Sequence, residues 1–266
     1  MKQFLWKIII FSCCLSTLWL ITGCQTQSGS TLKIAATAVP HAEILEQVKP
    51  LLKEQDINLD IIIVEDYTTP NRALNDKEVD ANFFQHIPFL EMQMQDFGYP
   101  LEKLVSVHLE PMALYSKKIT TLTPIKEGLT IAIPSDPTNQ ARALCLLQQQ
   151  KLITLKQCNT KTSLLDVLSN PHHFQFIEID SPLLTRALDD VDLAAITTNF
   201  ALQAGLLSTK DALAIENEQS LFVNIIAIRQ EDANRSDLQA LKQAVESNQV
   251  RDFINNHYHG VIIPAF

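Results

Sequence analysis

Glycine is scarce, with six in 266 residues at positions 23, 29, 98, 128, 205 and 260. No two of them fall at the spacing of a dinucleotide-binding or P-loop motif, so nucleotide readings lose their main support. Cysteine is sparse as well: positions 13, 14, 24, 145 and 158 contain no CxxC pair, and neither HExxH nor GxSxG occurs. Positive charge is short, Lys plus Arg totalling 21 against 30 for Asp plus Glu, and the formal charge of -9 would repel a phosphate backbone. Nucleic acid is not an expected partner, and no cofactor is called for. The one long apolar run, Ile8 to Ile21, falls short of the roughly 20 residues that span a bilayer as a helix.

What is present is the composition of a folded protein, 46% hydrophobic and 19% charged. Lys2 and Lys7 precede the apolar run, which is a signal-peptide pattern over residues 1–23. Ile21, Thr22, Gly23 and Cys24 follow, and this aliphatic, small, small, cysteine order resembles the lipobox of bacterial lipoproteins. Cys24 is therefore the expected lipidation site, several acyl chains giving durable anchoring where one binds only marginally. Residues 24–31, with Ser28, Gly29 and Ser30, read as a flexible lipidated tether. Export leaves Cys145 and Cys158 as thiols in an oxidising compartment, either paired or, for Cys145 within the run Ala143 to Leu147, buried as a small hydrophobe.

Along the body, Leu32 and Ile34 read as a strand, followed by a turn at Val39 and Pro40 and a helix carrying Ile44, Leu45, Val48, Leu51 and Leu52. Pro50 should kink or split that helix. The β-branched run Ile61 to Val64 suits a strand covered on both faces. Further strands are expected at Val79–Phe84, Ile131–Ile133, Phe174–Ile179, Leu193–Ile196 and Val223–Ile228, mainly parallel and separated by helices. Ser236 is placed to cap a helix, another helix is expected over Asn248–Asn256, and the apolar tail Val261–Ile263 should pack on the body.

A weak internal echo bears on architecture. Glu65, Asp66, Pro70, Arg72, Ala73, Leu74, Val79 and Asp80 resemble Glu178, Asp180, Pro182, Arg186, Ala187, Leu188, Val191 and Asp192 in order and type. Two α/β lobes follow, one of residues 32–112 plus 223–266 and the other of 116–222, with a ligand cleft between them where strand ends meet.

The candidate site residues lie at predicted strand ends and helix starts. In the stretch 80–89, Phe83 and Phe84 face opposite sides of a strand, so at least one is core, while His86 ends the strand. Asp136 to Asn139 form a helix-capping turn, and Arg142 just beyond it makes an anion site with the helix start, unless it is solvated or paired with an acid such as Asp136. Asn199 and Asn224, at a strand end and within an apolar run, offer amides that suit the carboxylate and ammonium of an amino acid; a helix cap and a satisfied strand-end side chain are the plainer readings.

The stretches VEDYTTPNRAL (64–74), VDANFFQHIPFL (79–90), YSKKI (115–119), IPSDPTNQARALCLL (133–147), Leu188–Asn199 and Phe222–Ile226, behind a lipobox, resemble the methionine-binding lipoproteins of bacterial ABC importers, the MetQ or NlpA lipoproteins. The resemblance spans nearly the whole mature chain. It implies an α/β, two-lobed periplasmic-binding-protein fold of type II character that closes on L-methionine or a close derivative and delivers it to a membrane permease with its ATPase. The protein would be a binder and not an enzyme, held in the cell envelope by its lipid and facing the periplasm or the exterior. By position, Arg142 grips the carboxylate, Asn199 and Asn224 bind the carboxylate and ammonium ends, and Tyr67, Phe84, His86 and Phe89 receive the thioether chain. Where family members often have tyrosine, this sequence has Phe89. A methionine-containing dipeptide or another amino acid on the same fold is the nearest alternative ligand.

Two other classes compete. A metal-binding lipoprotein would need its histidines gathered, and His172, His173, His257 and His259 are not gathered by any sequence feature. An exported enzyme would need His86 to work with Asp80 or another carboxylate, and no nucleophile accompanies them.

Overall fold

The computed structural model describes residues 29–217 and 221–266. The expected signal peptide and Cys24 lie outside the described residues. Strand β1 (Ser30–Thr37) leads through a tight turn at Ala38–Ala42, with a cis Val39–Pro40 bond, into helix α1 (Glu43–Lys53). Ser30 and Thr31 already pair with Ile57 and Asn58, so the end of the expected tether is strand. Gly29 is required just before it, since a Cβ there would lie 2.2 Å from the Asp56 carbonyl oxygen. Pro50 does not split α1. It falls in the last turn and is exposed, and Glu46, whose carbonyl it leaves without its i+4 partner, is exposed too, so the missing hydrogen bond lies on the solvent side of the helix.

Strand β2 (Ile57–Val64), helix α2 (Thr69–Asn75), strand β3 (Ala81–His86), helix α3 (Ile87–Phe97) and strand β4 (Leu101–Leu109) complete the first pass. The chain then crosses over at residues 110–112. In the second lobe come β5 (Ala113–Tyr115), β6 (Thr130–Pro134), α4 (Pro137–Gln149), β7 (Thr154–Leu155), β8 (Val167–Ser169), β9 (Gln175–Ile179), α5 (Leu184–Ala187), β10 (Leu193–Ile196), α6 (Thr198–Gln203), α7 (Ser208–Asp211) and β11 (Ala214–Ile215). It returns as β12 (Val223–Arg229), α8 (Ser236–Val245), α9 (Asn248–Tyr258) and β13 (Ile263–Pro264).

These elements form a six-stranded sheet, ordered β13-β4-β12-β3-β1-β2, and a five-stranded sheet, ordered β11-β5-β10-β6-β9. We call them the sheets of lobe 1 and lobe 2. The expectation of mainly parallel strands is corrected to mixed sheets: β2-β1-β3 and β9-β6-β10 are parallel, whereas β12 and β5 join them antiparallel. The reason is the double crossover, because β5 and β12 are the first strands laid down after each crossing. The run Ile61 to Val64 is likewise not covered on both faces. It belongs to the edge strand β2, which alternates buried and exposed from Ile57 to Asp60 and then exposes the consecutive Ile62 and Ile63, so both faces are open at that end.

Lobe 1 packs Ile34, Leu45, Val48, Phe83, Ile226, Leu241 and Ile254 into one core, closed by the buried tail residues Val261 and Ile262. Ser236 is the first residue of α8 and does not cap it; Arg235 holds the cap position and pairs with Asp237 at 2.8 Å. Lobe 2 packs Leu114, Ile131, Ile133, Leu144, Leu147 and Leu193. There Cys145 of α4 and Cys158 form a disulfide with a Cα separation of 5.5 Å, which resolves the open choice for Cys145. Among the described residues no helix is long and apolar enough to cross a membrane.

Candidate functional site

The site begins with β3, whose six residues are all buried. Side-chain alternation splits the phenylalanine pair. Phe83 enters the core of lobe 1 and packs edge-on to His41 with ring centroids 4.5 Å apart, while Phe84 turns to the cleft. His86 ends the strand and caps α3, its Nδ1 accepting from the Phe89 backbone N–H at 3.1 Å. Beneath them Asn71, Asn82 and Gln85 satisfy one another's buried amides, Gln85 exchanging hydrogen bonds of 2.9 and 2.7 Å with Asn71.

Aromatic rings form one end of the site. Tyr67 sits 5.8 Å from Phe84, 5.9 Å from Phe89 and 5.2 Å from Phe200, and Phe84 and Phe89 are 5.8 Å apart. The Tyr67 hydroxyl donates to Asn199 Oδ1 at 2.6 Å, so this link ties the first lobe to α6 of the second. Burial, more than any neighbour, raises the Tyr67 phenol well above its ordinary range and keeps it a donor.

The other end is polar. Asp136 caps α4 by accepting from the Asn139 N–H at 2.9 Å, so the helix start is already capped. Burial raises the Asp136 carboxyl despite these hydrogen bonds. Arg142, one turn further on, is 3% exposed and neither solvated nor paired with Asp136. Its Nη2 donates to Glu216 at 2.6 Å and to the Glu110 carbonyl at 2.7 Å, Nε reaches Glu216 at 3.4 Å, and Nη1 donates to Asn139 Oδ1 at 3.2 Å. The Phe222 ring covers the guanidinium at 4.5 Å. Arg142 thus joins both crossovers, and its Nη1 is the group with hydrogen-bonding capacity to spare.

Asn199 lies in the first turn of α6 and not at its cap, which is Thr197; its Nδ2 is buried without a partner. Asn224, opposite His86 in the β3–β12 register, accepts from His41 Nε2 at 3.1 Å. All seven residues expected from the sequence, Tyr67, Phe84, His86, Phe89, Arg142, Asn199 and Asn224, line one cavity together with Gln85, Glu110, Asn139 and Thr197. The cavity takes its lining from both lobes, Phe84 and His86 from the first and Arg142 and Asn199 from the second. Sequence reasoning missed Glu110 and Glu216, lone acids with no local pattern around them; the turn that carries Asn139 was visible, its place in the cavity was not.

The histidines named for a metal site remain scattered: His173, His257 and His259 are exposed and His172 is half-buried. Another group does converge. His41, His108 and Glu110 are buried with ligating atoms within 4.8 Å of one another. His108 Nε2 lies 2.7 Å from Glu110 Oε1, a hydrogen-bond distance. Two ligands of a tetrahedral zinc with bonds of about 2.0–2.1 Å stand roughly 3.3 Å apart, so a proton fits this gap better than a metal. Burial lowers His41 to about 4 and, with Arg142 nearby, His86 to about 3, leaving both rings neutral. The acid-base pairing of His86 with Asp80 is not present: they flank opposite ends of β3, roughly 20 Å along an extended strand, and Asp80 binds the Lys33 N–H and Arg235 instead.

Two α/β lobes, joined by two crossovers and closed over a buried cavity with an aromatic end and a charged end, define a two-lobed substrate-binding protein. The NlpA lipoprotein family matches residues 32–266, and the chain belongs to that family. It is 36% identical to the methionine-binding lipoprotein MetQ of Bacillus subtilis over 92% of this chain and 93% of that one. Outer membrane lipoprotein 3 of Mannheimia haemolytica is 37% identical over 92% of this chain and 94% of its own. A nutrient binding protein from Burkholderia cenocepacia, solved bound to methionine, superposes with a TM-score of 0.86 at 36% identity, covering 88% of this chain and all of that one.

Proposed function

We propose that this protein is a lipid-anchored, extracytoplasmic substrate-binding protein that closes on L-methionine or a close derivative and presents it to the permease and ATPase of an ABC importer. The observation that carries the reading is the cavity between the lobes, aromatic at one end and charged at the other, in a chain similar to methionine-binding relatives. Arg142 and the unpartnered Asn199 Nδ2 receive the carboxylate, and Asn224 lies at the ammonium end. Tyr67, Phe84, His86 and Phe89 surround the thioether, a polarizable group that gains from ring contacts and needs few hydrogen bonds. Binding and closure, without bond-making, are the whole of its activity.

Residues 1–23 act as the export signal, Cys24 carries the lipid, and lobes of 32–112 plus 223–266 and of 116–222 stand in the cell envelope. Calorimetric titration of the full chain in detergent, stripped of ligand by unfolding and refolding, tests this against L-methionine, D-methionine, a methionine dipeptide and zinc. Tight one-to-one binding of methionine is expected, weakened about 100-fold in Arg142→Ala. Heat with the dipeptide alone changes the cargo, heat with zinc alone overturns the reading, and unchanged affinity in Arg142→Ala removes the carboxylate role.

A further inference from the structure

The polar end of the cavity holds three acids, Asp136, Glu110 and Glu216, beside one guanidinium, Arg142. Glu110, 4% exposed on the first crossover, accepts from His108 Nε2 at 2.7 Å through Oε1 and from the Asn199 N–H at 3.1 Å through Oε2, and Oε1 is 3.3 Å from His41 Nε2. The tautomers follow from the neighbours. His41 Nε2 faces two oxygens, Glu110 Oε1 and Asn224 Oδ1, so it carries the hydrogen, and Nδ1 accepts from the Thr37 hydroxyl at 2.7 Å. His108 Nδ1 is buried without a partner, which suits a lone pair and not an N–H. Both rings thus donate to Glu110 through Nε2, and burial keeps the His41 ring neutral.

Arg142 is engaged elsewhere. Its Nη2 hydrogens go to the Glu110 backbone carbonyl and to Glu216, with which it forms its ion pair, while Nη1 reaches Asn139. The amide oxygens that the sequence reading offered to an ammonium are already accepting, Asn199 Oδ1 from Tyr67 and Asn224 Oδ1 from His41. What faces the cavity is thus a buried carboxylate, oriented by three N–H groups, awaiting a cation.

We propose that Glu110 is the counter-ion for the ammonium group of the ligand, with His41 and His108 as positioning residues that hold its oxygens toward the cavity. This rests on the amino-acid reading above and sharpens it, since the site then selects α-amino acids over carboxylic acids of the same shape. The burial of Glu110 makes the contact worth most when the lobes are closed, so the amino group itself helps to hold them shut.

The test is calorimetric titration of the full chain in detergent, wild type and Glu110→Gln, with L-methionine and with 4-(methylthio)butanoic acid, the same thioether acid lacking the amino group. Wild type should prefer methionine by about 100-fold or more. Glu110→Gln should lose most of that preference by weakening methionine while leaving the desamino acid unchanged or tighter. Equal loss for both ligands, or unchanged methionine affinity, overturns the proposal. Should Glu110→Gln not fold, the wild-type preference decides alone, equal affinities overturning it. Wild-type protein that takes neither ligand fails the functional reading itself, a result distinct from any failure in the variant.

Discussion

In lobe 1 the parallel trio runs β2-β1-β3 and is extended by β12; in lobe 2 it runs β9-β6-β10 and is extended by β5. The aspartates of the sequence echo do the same work in each. Asp80 accepts from the Lys33 N–H at 2.9 Å while its own N–H donates to the Lys33 carbonyl, and Asp192 does so with Thr130, also at 2.9 Å. Each staples the start of the third strand to the first, at mid-strand Lys33 in lobe 1 and at the leading residue Thr130 in lobe 2. The lobes part company in the segment after the first strand, where lobe 1 places neutral His41 in the turn and lobe 2 places Arg142 in the helix α4 that follows. The likeness therefore resides in the residues that join strands, and the chemistry resides in the departures from it.

Acid should separate the lobes most. The unfolded chain takes up protons on His41 and His86 near pH 6.5, which the folded chain refuses until about 4 and about 3. Stability contributed by neutral burial is present above pH 6.5 and is lost as pH falls toward 4, about 3 kcal/mol for His41 and a similar amount for His86. Both rings belong to lobe 1. Asp136 of lobe 2 has the opposite sign, its raised carboxyl favouring the folded state as pH drops. Denaturant unfolding followed from pH 7 to 4.5 checks this, and a flat profile would show that the two rings are not buried neutral.

The disulfide belongs to lobe 2 alone. Replacing Cys145 and Cys158 with serine reopens a loop whose ends are 13 residues apart, at an expected cost of about 3 kcal/mol. Hydrogen exchange should show α4 and β7 loosening while β1 and β3 keep their protection. The aspartate staples provide the finest comparison. Asp80→Asn should cost about 2 kcal/mol, because Asp80 also pairs with Arg235 at 2.7 Å, and Asp192→Asn about 1 kcal/mol, its ion-pair partner among the described residues being the exposed Lys118 at 3.9 Å. Equal melting shifts would mean that the backbone staple alone matters.

Much of this was readable in the sequence. Strands β3, β6, β9, β10 and β12 fall within two residues of the expected runs because each is short, apolar and bounded by turn residues. β4 escaped notice for a physical reason: its pairing with β12 slips register twice, so the side chains of Leu101–Leu109 do not alternate in and out. The edge position of β2 was hidden because hydrophobicity does not say which neighbour is missing. The seven expected cavity residues sit beside local marks, strand ends and helix starts. Glu110 and Glu216 carry no such mark, since their partner Arg142 lies 32 and 74 residues away and only the fold brings them together.

The return of the chain to lobe 1 also sets the order in which the molecule can be finished. Lobe 2 is one unbroken stretch from β5 to β11, and every strand of its sheet is available once that stretch exists. Lobe 1 is not, for β3 and β4 each lack their shared neighbour β12 until more than a hundred residues later, and β13 closes the far edge of β4 only beyond that. A chain emerging from its amino end would therefore complete its second lobe first and carry the first as an open three-stranded sheet, with the Phe83 core uncovered, until β12 arrives. Slowing the arrival of β12 should leave that sheet edge as the place where misassembly begins.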